Sequence, residues 1–392
     1  MTKRAPLQGP SVIFLALSWA VFGTGCTFYT ACPPPDGNMG AAGNQGGGAG
    51  NGAGGGGEVP DGEWINVSGN LAGIPSECGN MSALAAKPDE DLLIAGISQN
   101  GLWSSVDGGG SWEELGTGKG SDPIVNRMGN IVFDPDDSDR WWEGGIYNGG
   151  GAYETRDDGL TFTMLGGVEQ QGDLLSVDLS DPDRQTLLIG GHETGGAITI
   201  STDGGASWGP IGKGLPSGTN CTFPHIIDAQ TFLVGCGGYG GSEHGIYRST
   251  DAGQSWKRVS TDGGSGAPLH ATDQTIYWLS PDGALTRSSD AGKTWTRAID
   301  SGTIVGPGII ELPDQRLAAL GKRYVMVSAD HGATWQLASS ALPYDDGNPA
   351  TGVAYSRFQK AFFIWHGTCG FDGPVPVPDD AIMRYDFDYE AP

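Results

Sequence analysis

Positive charge is scarce in this 392-residue chain. Lysine and arginine together number 21 against 46 aspartates and glutamates, a formal net charge of −25 at pH 7. So few cations cannot neutralise a run of phosphates, and an acidic surface repels nucleic acid and anionic lipid headgroups. No nucleic-acid partner is expected. Long apolar runs are missing too: the stretch from Val12 to Phe22 falls short of the roughly 20 residues that span a bilayer. The six cysteines show no Cys-x2-Cys spacing, which removes the usual zinc sites. The acid-rich run Asp134-Pro135-Asp136-Asp137-Ser138-Asp139 lacks the regular oxygen spacing and the glycine of an EF-hand loop. Turn chemistry accounts for it better than calcium does. No metal and no cofactor are expected.

Glycine, by contrast, is abundant, with 69 residues, and one short pattern recurs: Ser/Thr-x-Asp-x-Gly-x-Ser/Thr-Trp/Phe. Six copies occur, at Ser105–Trp112, Thr155–Phe162, Ser201–Trp208, Ser249–Trp256, Ser288–Trp295 and Ser328–Trp335. Their aspartates, Asp107, Asp157, Asp203, Asp251, Asp290 and Asp330, lie about 40 to 50 residues apart, the period of a solenoid or propeller. Each copy reads as a tight hairpin between two strands. The Asp accepts N–H groups of its own turn, the Gly two residues on supplies a positive φ, and the hydroxyls bond locally. The closing Trp or Phe starts the next strand with a large apolar face. On that chemistry the aspartates are turn staples rather than catalytic or metal-binding groups.

The octapeptide resembles the Asp box, the bacterial neuraminidase repeat of sialidase-like β-propellers, and the resemblance covers nearly the whole folded region. It implies an all-β fold whose blades carry four antiparallel strands, A to D from the axis outward, with the box as the C–D turn on the rim away from the active face. Hairpins with Asp-rich turns precede the boxes as strands A and B, as in Leu174–Leu179 with Thr186–Ile189. Six boxes give six blades. After Trp335, Gly352–Tyr355, Ala361–Trp365 and Ala381–Phe387 supply three strands without a box, and Glu63–Val67 has the look of a strand D with nothing before it. The expectation is a seven-bladed β-propeller closed by its N-terminal strand, which hides open sheet edges. Six blades with a C-terminal appendage is the alternative.

Lys3, Arg4 and the apolar stretch before Gly23-Thr24-Gly25-Cys26 resemble a bacterial lipoprotein signal, departing from the usual lipobox at Gly23, where Leu is common. The expected division is a signal peptide over 1–25, a lipidated Cys26 with a Gly/Pro-rich tether over 26–62, and the propeller over 63–392. The tether would reach about 25–30 Å. Thr27 follows the Cys, so an outer-membrane or cell-surface anchor is expected, with the lipid as the sole membrane contact. A periplasmic or secreted form is the alternative if the lipobox is not used. Cys221 and Cys236 sit symmetrically about the turn at Asp228-Ala229, and a disulfide between them fits an oxidising compartment. Cys78 and Cys369 flank strands of blades 1 and 7, so a bond between them would staple a closed ring. Cys32 is left over.

The face opposite the boxes displays Gln99, Asn126, Arg127, Tyr147, Asn148, Asp173, Lys322, Arg323 and His366. Its richest group is on blades 3 and 4: His192, Glu193, Tyr239, Glu243 and His244. These residue types suit general acid–base work or a divalent metal. They suit equally well plain solvated loops or a partner surface, so no catalytic residue is assigned. Sialidases need an arginine triad that begins in an Arg-Ile-Pro motif before the boxes, and here no arginine occurs between Arg4 and Arg127. Xyloglucan-cleaving relatives use two propellers facing a shared cleft, and this chain holds one. The likeness to single exported propellers of the photosystem II assembly and stability factor type, and to sortilin-type propellers, implies a non-catalytic scaffold. The expectation is therefore a monomeric cell-envelope lipoprotein that binds an envelope protein or glycan through the face opposite the boxes. A glycoside hydrolase or lyase acting on surface or environmental polysaccharide is the alternative.

Overall fold

The computed structural model describes residues 59–166, 172–192, 198–216, 220–238, 244–300, 302–344, 349–368 and 374–390. Seven four-stranded antiparallel sheets make a ring. Blade 1 runs outward through Met81–Ala86, Leu93–Ile97, Leu102–Ser105 and Glu113–Glu114. Five further blades repeat that order, and the sole helical turn among the described residues is Gly69–Leu71. Blade 7 takes Gly352–Ser356, Ala361–Trp365 and Ile382–Asp386 from the C-terminal end and Ile65–Asn66 as its outermost strand. Seven blades and an N-terminal closing strand are thus present, and among the described residues the three C-terminal strands belong to the ring and form no appendage. The closing strand is shorter than Glu63–Val67 because only Ile65 and Asn66 pair with Arg384 and Met383.

Closure has a second clasp that the sequence does not announce. Pro75–Ser76 pairs with Val375–Pro376, and the fully buried Asn80 donates through Nδ2 to the carbonyl of Pro376 at 2.8 Å. Cys78 is disulfide-bonded, while Cys369, its expected partner, lies outside the described residues. So do Cys26, Cys32, the signal segment and nearly all of the tether.

The second strand of most blades is buried throughout, as in Leu93–Ile97, Trp141–Ile146 and Ala361–Trp365. Each lies between two neighbouring strands and two neighbouring blades, so no face of it meets water. This explains why these segments read as continuous apolar runs rather than as alternations.

The six octapeptide turns share one hydrogen-bond pattern. In the first, the Ser105 hydroxyl donates to Asp107 Oδ1 at 2.8 Å, the Gly109 N–H donates to Ser105 Oγ at 2.8 Å, and the Ser111 N–H donates to Asp107 Oδ1 at 2.9 Å. Donors from Ser111 and Ser105 hold the Asp107 carboxyl down to about 2. The residue before the box glycine is left-handed as well, for instance Ala252 at φ 53° followed by Gly253 at φ 81°. Glycine is required at the second position: a Cβ on Gly253 would lie 2.7 Å from Ile211 Cδ1 of the preceding blade.

Charged side chains knit the same face. Arg184, 1% exposed, donates from Nη2 to Asp134 Oδ1 and Asp136 Oδ2, both at 2.6 Å, and from Nε to Asp134 Oδ2 at 3.1 Å. The acid-rich turn of blade 2 thus has an arginine of blade 3 as its counter-ion. Lys87, equally buried, ties blade 1 to Asp158 of blade 2 at 2.7 Å.

Cys221 and Cys236 are register partners in blade 4 and form a disulfide across a sequence separation of 15. Replacing both with alanine should lower the unfolding free energy by about 2 kcal/mol, at the low end of the usual range because the closed loop is a local hairpin. The urea midpoint of the variant, compared with that of the oxidised parent, checks this.

Candidate functional site

Strands A begin on the face opposite the octapeptide turns, and there one stretch of backbone is unusual. Tyr147 (φ 59°), Asn148 (φ 50°), Gly149 (φ 114°), Gly150 (φ 54°) and Gly151 (φ 105°) are all left-handed in succession. Glycine takes such angles freely, but for Tyr and Asn each costs of order 1–3 kcal/mol and persists only where surroundings hold it. The holding groups come from blades 1, 2 and 3. Tyr147 Oη lies 2.9 Å from His192 Nε2, with the rings edge to face at 5.1 Å. The Arg127 guanidinium sits 5.0 Å over the same tyrosine ring. Asn148 Nδ2 donates to Glu77 Oε1 at 2.8 Å, and Gln99 Nε2 donates to Glu77 Oε2 at 3.1 Å. Gln99 is itself left-handed at φ 67°.

Glu77 is therefore a half-buried carboxylate fixed by Asn148 and Gln99, with Arg127 Nη2 at 3.5 Å. Arg127 Nη2 also donates to the carbonyl of Cys78. Gly79, at φ 72°, makes room for the guanidinium: a Cβ there would lie 3.1 Å from its Cζ. Arg127 is 8% exposed.

Behind this cluster runs the ring axis, where the innermost strands enclose a cavity of about 360 Å³. Its wall is apolar, with Met81, Leu174, Phe223, Leu269, Ile309 and Val353 from six different blades. Arg127 belongs to both the cluster and the cavity wall.

A second carboxyl lies deeper. Glu143, on the second strand of blade 2, is 0% exposed and accepts from Asn126 Nδ2 at 3.1 Å. Burial pushes it up to about 8 against the smaller opposing effect of that hydrogen bond. That burial favours its protonated form, and its partner Asn126 is itself buried.

The residues expected to gather on blades 3 and 4 fare differently. His192 faces blade 2, against Tyr147. His244 is exposed, at the entry to the third strand of blade 4. Glu193, Tyr239 and Glu243 lie outside the described residues. Glu77 escaped sequence reasoning altogether. It precedes the first strand A, inside no repeat, and only the fold brings it to Asn148. No group of three or more potential metal ligands exists among the described residues.

No family model matches the chain. The sequence similarity is to xyloglucan-cleaving enzymes. A probable oligoxyloglucan-reducing end-specific xyloglucanase of Neosartorya fischeri is 28% identical over 177 residues, 41% of this chain and 20% of that protein. A xyloglucanase of a Paenibacillus species is 27% identical over 203 residues, 50% of this chain and 16% of that protein. The chain thus aligns with about a fifth or less of the length of these relatives. Among solved structures, a GH74 enzyme of Niastella koreensis superposes with a TM-score of 0.57 at 19% identity, over 78% of this chain and 53% of that one. A YCF48 protein bound to D1 peptide gives a TM-score of 0.54 at 14% identity, over 84% and 98%. These last two establish the fold alone.

The expectation of a non-catalytic scaffold is corrected by the two sequence relatives, both of which carry enzyme names. That expectation rests on one propeller standing against a two-propeller cleft and on likeness to single scaffold propellers, but a count of propellers is a statement about architecture, which function does not follow.

Proposed function

We propose that this propeller is the carbohydrate-active module of a glycoside hydrolase acting on a xyloglucan-type polysaccharide, with the face opposite the octapeptide turns as its substrate surface. The similarity to two xyloglucanases carries the reading. The strained, three-blade cluster supports the choice of face, because backbone strain of this kind concentrates at functional sites. In this reading Glu77 is the carboxylate that acts on the glycosidic bond, and Tyr147 offers a ring for a sugar to pack on. Arg127 and His192 fix that tyrosine. The acidic surface suits a neutral polymer, which it does not repel. The Asp-box identity of the turns, cleavage at Cys26, its lipidation and display of a monomer at the cell envelope belong to the same proposal, supported by the sequence pattern alone.

The test is release of reducing ends from xyloglucan by the full chain. Glu77→Gln should reduce turnover by about 100-fold or more while leaving the thermal midpoint within about 2 °C of the parent. If the parent neither binds nor cleaves xyloglucan, the proposal fails. If Glu77→Gln retains full turnover, the assignment of Glu77 fails.

A further inference from the structure

The inner strands of neighbouring blades are joined by side chains that reach across the gap. Between blades 2 and 3, Asn130 exchanges two hydrogen bonds with the backbone of Leu175. Between blades 3 and 4, the Ile226 N–H donates to Ser176 Oγ at 3.0 Å. Between blades 4 and 5 the contact is of another kind: His225 Nε2 lies 3.3 Å from His270 Nδ1. Both rings belong to inner strands, Asn220–Asp228 and Ser265–His270, near the ends that lead into the turns on the octapeptide face. Both residues are half-buried and retain some contact with solvent.

The geometry is that of two ligands on one ion. Two imidazole nitrogens bound tetrahedrally to Zn²⁺ at about 2.0–2.1 Å stand about 3.3–3.4 Å apart, with their ring centroids about 5.2 Å apart. The centroids of His225 and His270 are 5.2 Å apart, at an interplanar angle of 77°. A ring N–H aimed straight along the N···N line would hold the centroids roughly 5.6 Å apart, so the two nitrogens do not point directly at each other. Burial lowers both imidazoles, His225 to about 3. At neutral pH both are uncharged, and no proton has to leave before a metal binds. The N–H that one ring lends the other moves to that ring's second nitrogen, a change of tautomer with no net proton release. Asp273, in the turn after His270, favours positive charge at that ring. Neutral imidazole suits zinc-like ions, whereas Mg²⁺ and Ca²⁺ take oxygen ligands.

We propose that His225 and His270 form a two-imidazole site for a divalent transition-metal ion of the zinc class, with water in its other positions, which clamps blades 4 and 5 at their inner strands. The site lies towards the octapeptide face, away from the face that carries Glu77, so it is independent of the polysaccharide reading.

Isothermal titration of the metal-free full chain with Zn²⁺, in a non-coordinating buffer with excess Mg²⁺ to occupy surface carboxylates, tests it. One saturable site is expected. His225→Gln and His270→Gln should each weaken Zn²⁺ by about tenfold or more, whereas His244→Gln, on the opposite face, should change it by no more than about twofold. Saturating Zn²⁺ should raise the thermal midpoint of the parent by about 3 °C or more and that of either variant by less than about 1 °C. Co²⁺ should give the intense visible absorption of a tetrahedral site in the parent and lose it in both variants. Should His225→Gln fail to fold, His270→Gln, at the end of its strand, carries the same test. No saturable Zn²⁺ binding, binding that survives both substitutions, or an equal loss in His244→Gln would overturn the site. Zn²⁺ bound at the pair without a rise in the thermal midpoint would overturn the clamp.

Discussion

Replacing Arg184 with methionine is expected to lower the unfolding free energy by about 3 kcal/mol, because the buried Asp134 carboxylate loses its closest cation and keeps only Arg140 Nη1 at 3.8 Å. The side chains of Arg184 and Asp134 are 1% and 3% exposed and meet at 2.6 Å. Asp136, the other carboxylate on the same guanidinium, is 78% exposed at its side chain, so Asp136→Ala should change stability by less than about 1 kcal/mol. Burial alone would raise the Asp134 carboxyl; the hydrogen bond from Arg184 and the N–H of Asp136 outweigh it and hold the group below its ordinary value. A depressed carboxyl contributes stability above its unfolded value, near 3.9, and loses it as the pH falls through the lower folded value. Urea titrations at pH 7 and pH 3 should therefore show a gap between parent and Arg184→Met that narrows in acid. Equal stability at pH 7 would mean that the two-blade contact does not hold in solution. The double variant Arg184→Met with Asp134→Leu should recover much of the loss, since it removes the buried charge as well as its partner.

Glu143→Gln should act in the opposite direction. The Glu143 carboxyl is raised to about 8 by burial, against roughly 4.3 in an unfolded chain. A raised acid favours the folded state fully below the unfolded value, and that advantage drains away as the pH climbs towards the folded one. Across that window each pH unit is worth about 1.36 kcal/mol, so at pH 7 the parent stands about 3 kcal/mol below its value in mild acid on this account. Glutamine keeps the shape and the contact with Asn126 yet carries no proton to lose. The variant should gain about 3–4 kcal/mol over the parent at pH 7 and almost nothing at pH 4. Paired denaturation curves at those pH values decide it, and a parent whose stability does not fall between pH 5 and 8 would show that Glu143 is not buried as described.

The ring was legible from the sequence because its signals are local. The octapeptide carries its own hydrogen bonds within a few residues, so six turns identify six blades without any long-range information. The seventh followed from counting three orphan strands at one end and one at the other. The Cys221–Cys236 bond followed from symmetry about a turn. Reading failed where contacts join residues of different blades. Glu77 and Asn148 are separated by 71 residues, and nothing near either one marks the partnership. His192 was visible as a rim residue, but its neighbour could be assigned to blade 4 as easily as to blade 2 until the loops had positions. Glu143 looked like one residue of an ordinary strand. Only full burial of that strand, a consequence of neighbouring blades closing over it, turns an acid into a titrating liability.

The closing strand carries a consequence for how this chain acquires its shape. Each blade can assemble from neighbours in sequence, quickly and in order. The ring cannot, because Ile65 and Asn66 wait for Ile382–Asp386, the last of the ring's strands in sequence order: the Gly62 N–H finds the Tyr385 hydroxyl across 323 residues. Contacts of such separation are the slow ones. Until that pairing forms, the edge of the last sheet stays open. During that interval the exposed edge can recruit the wrong strand from another copy. Residues 65–66 then set the pace of maturation for all that precedes and follows them, and a chain shortened past Asn66 should accumulate as aggregates rather than as a six-bladed product.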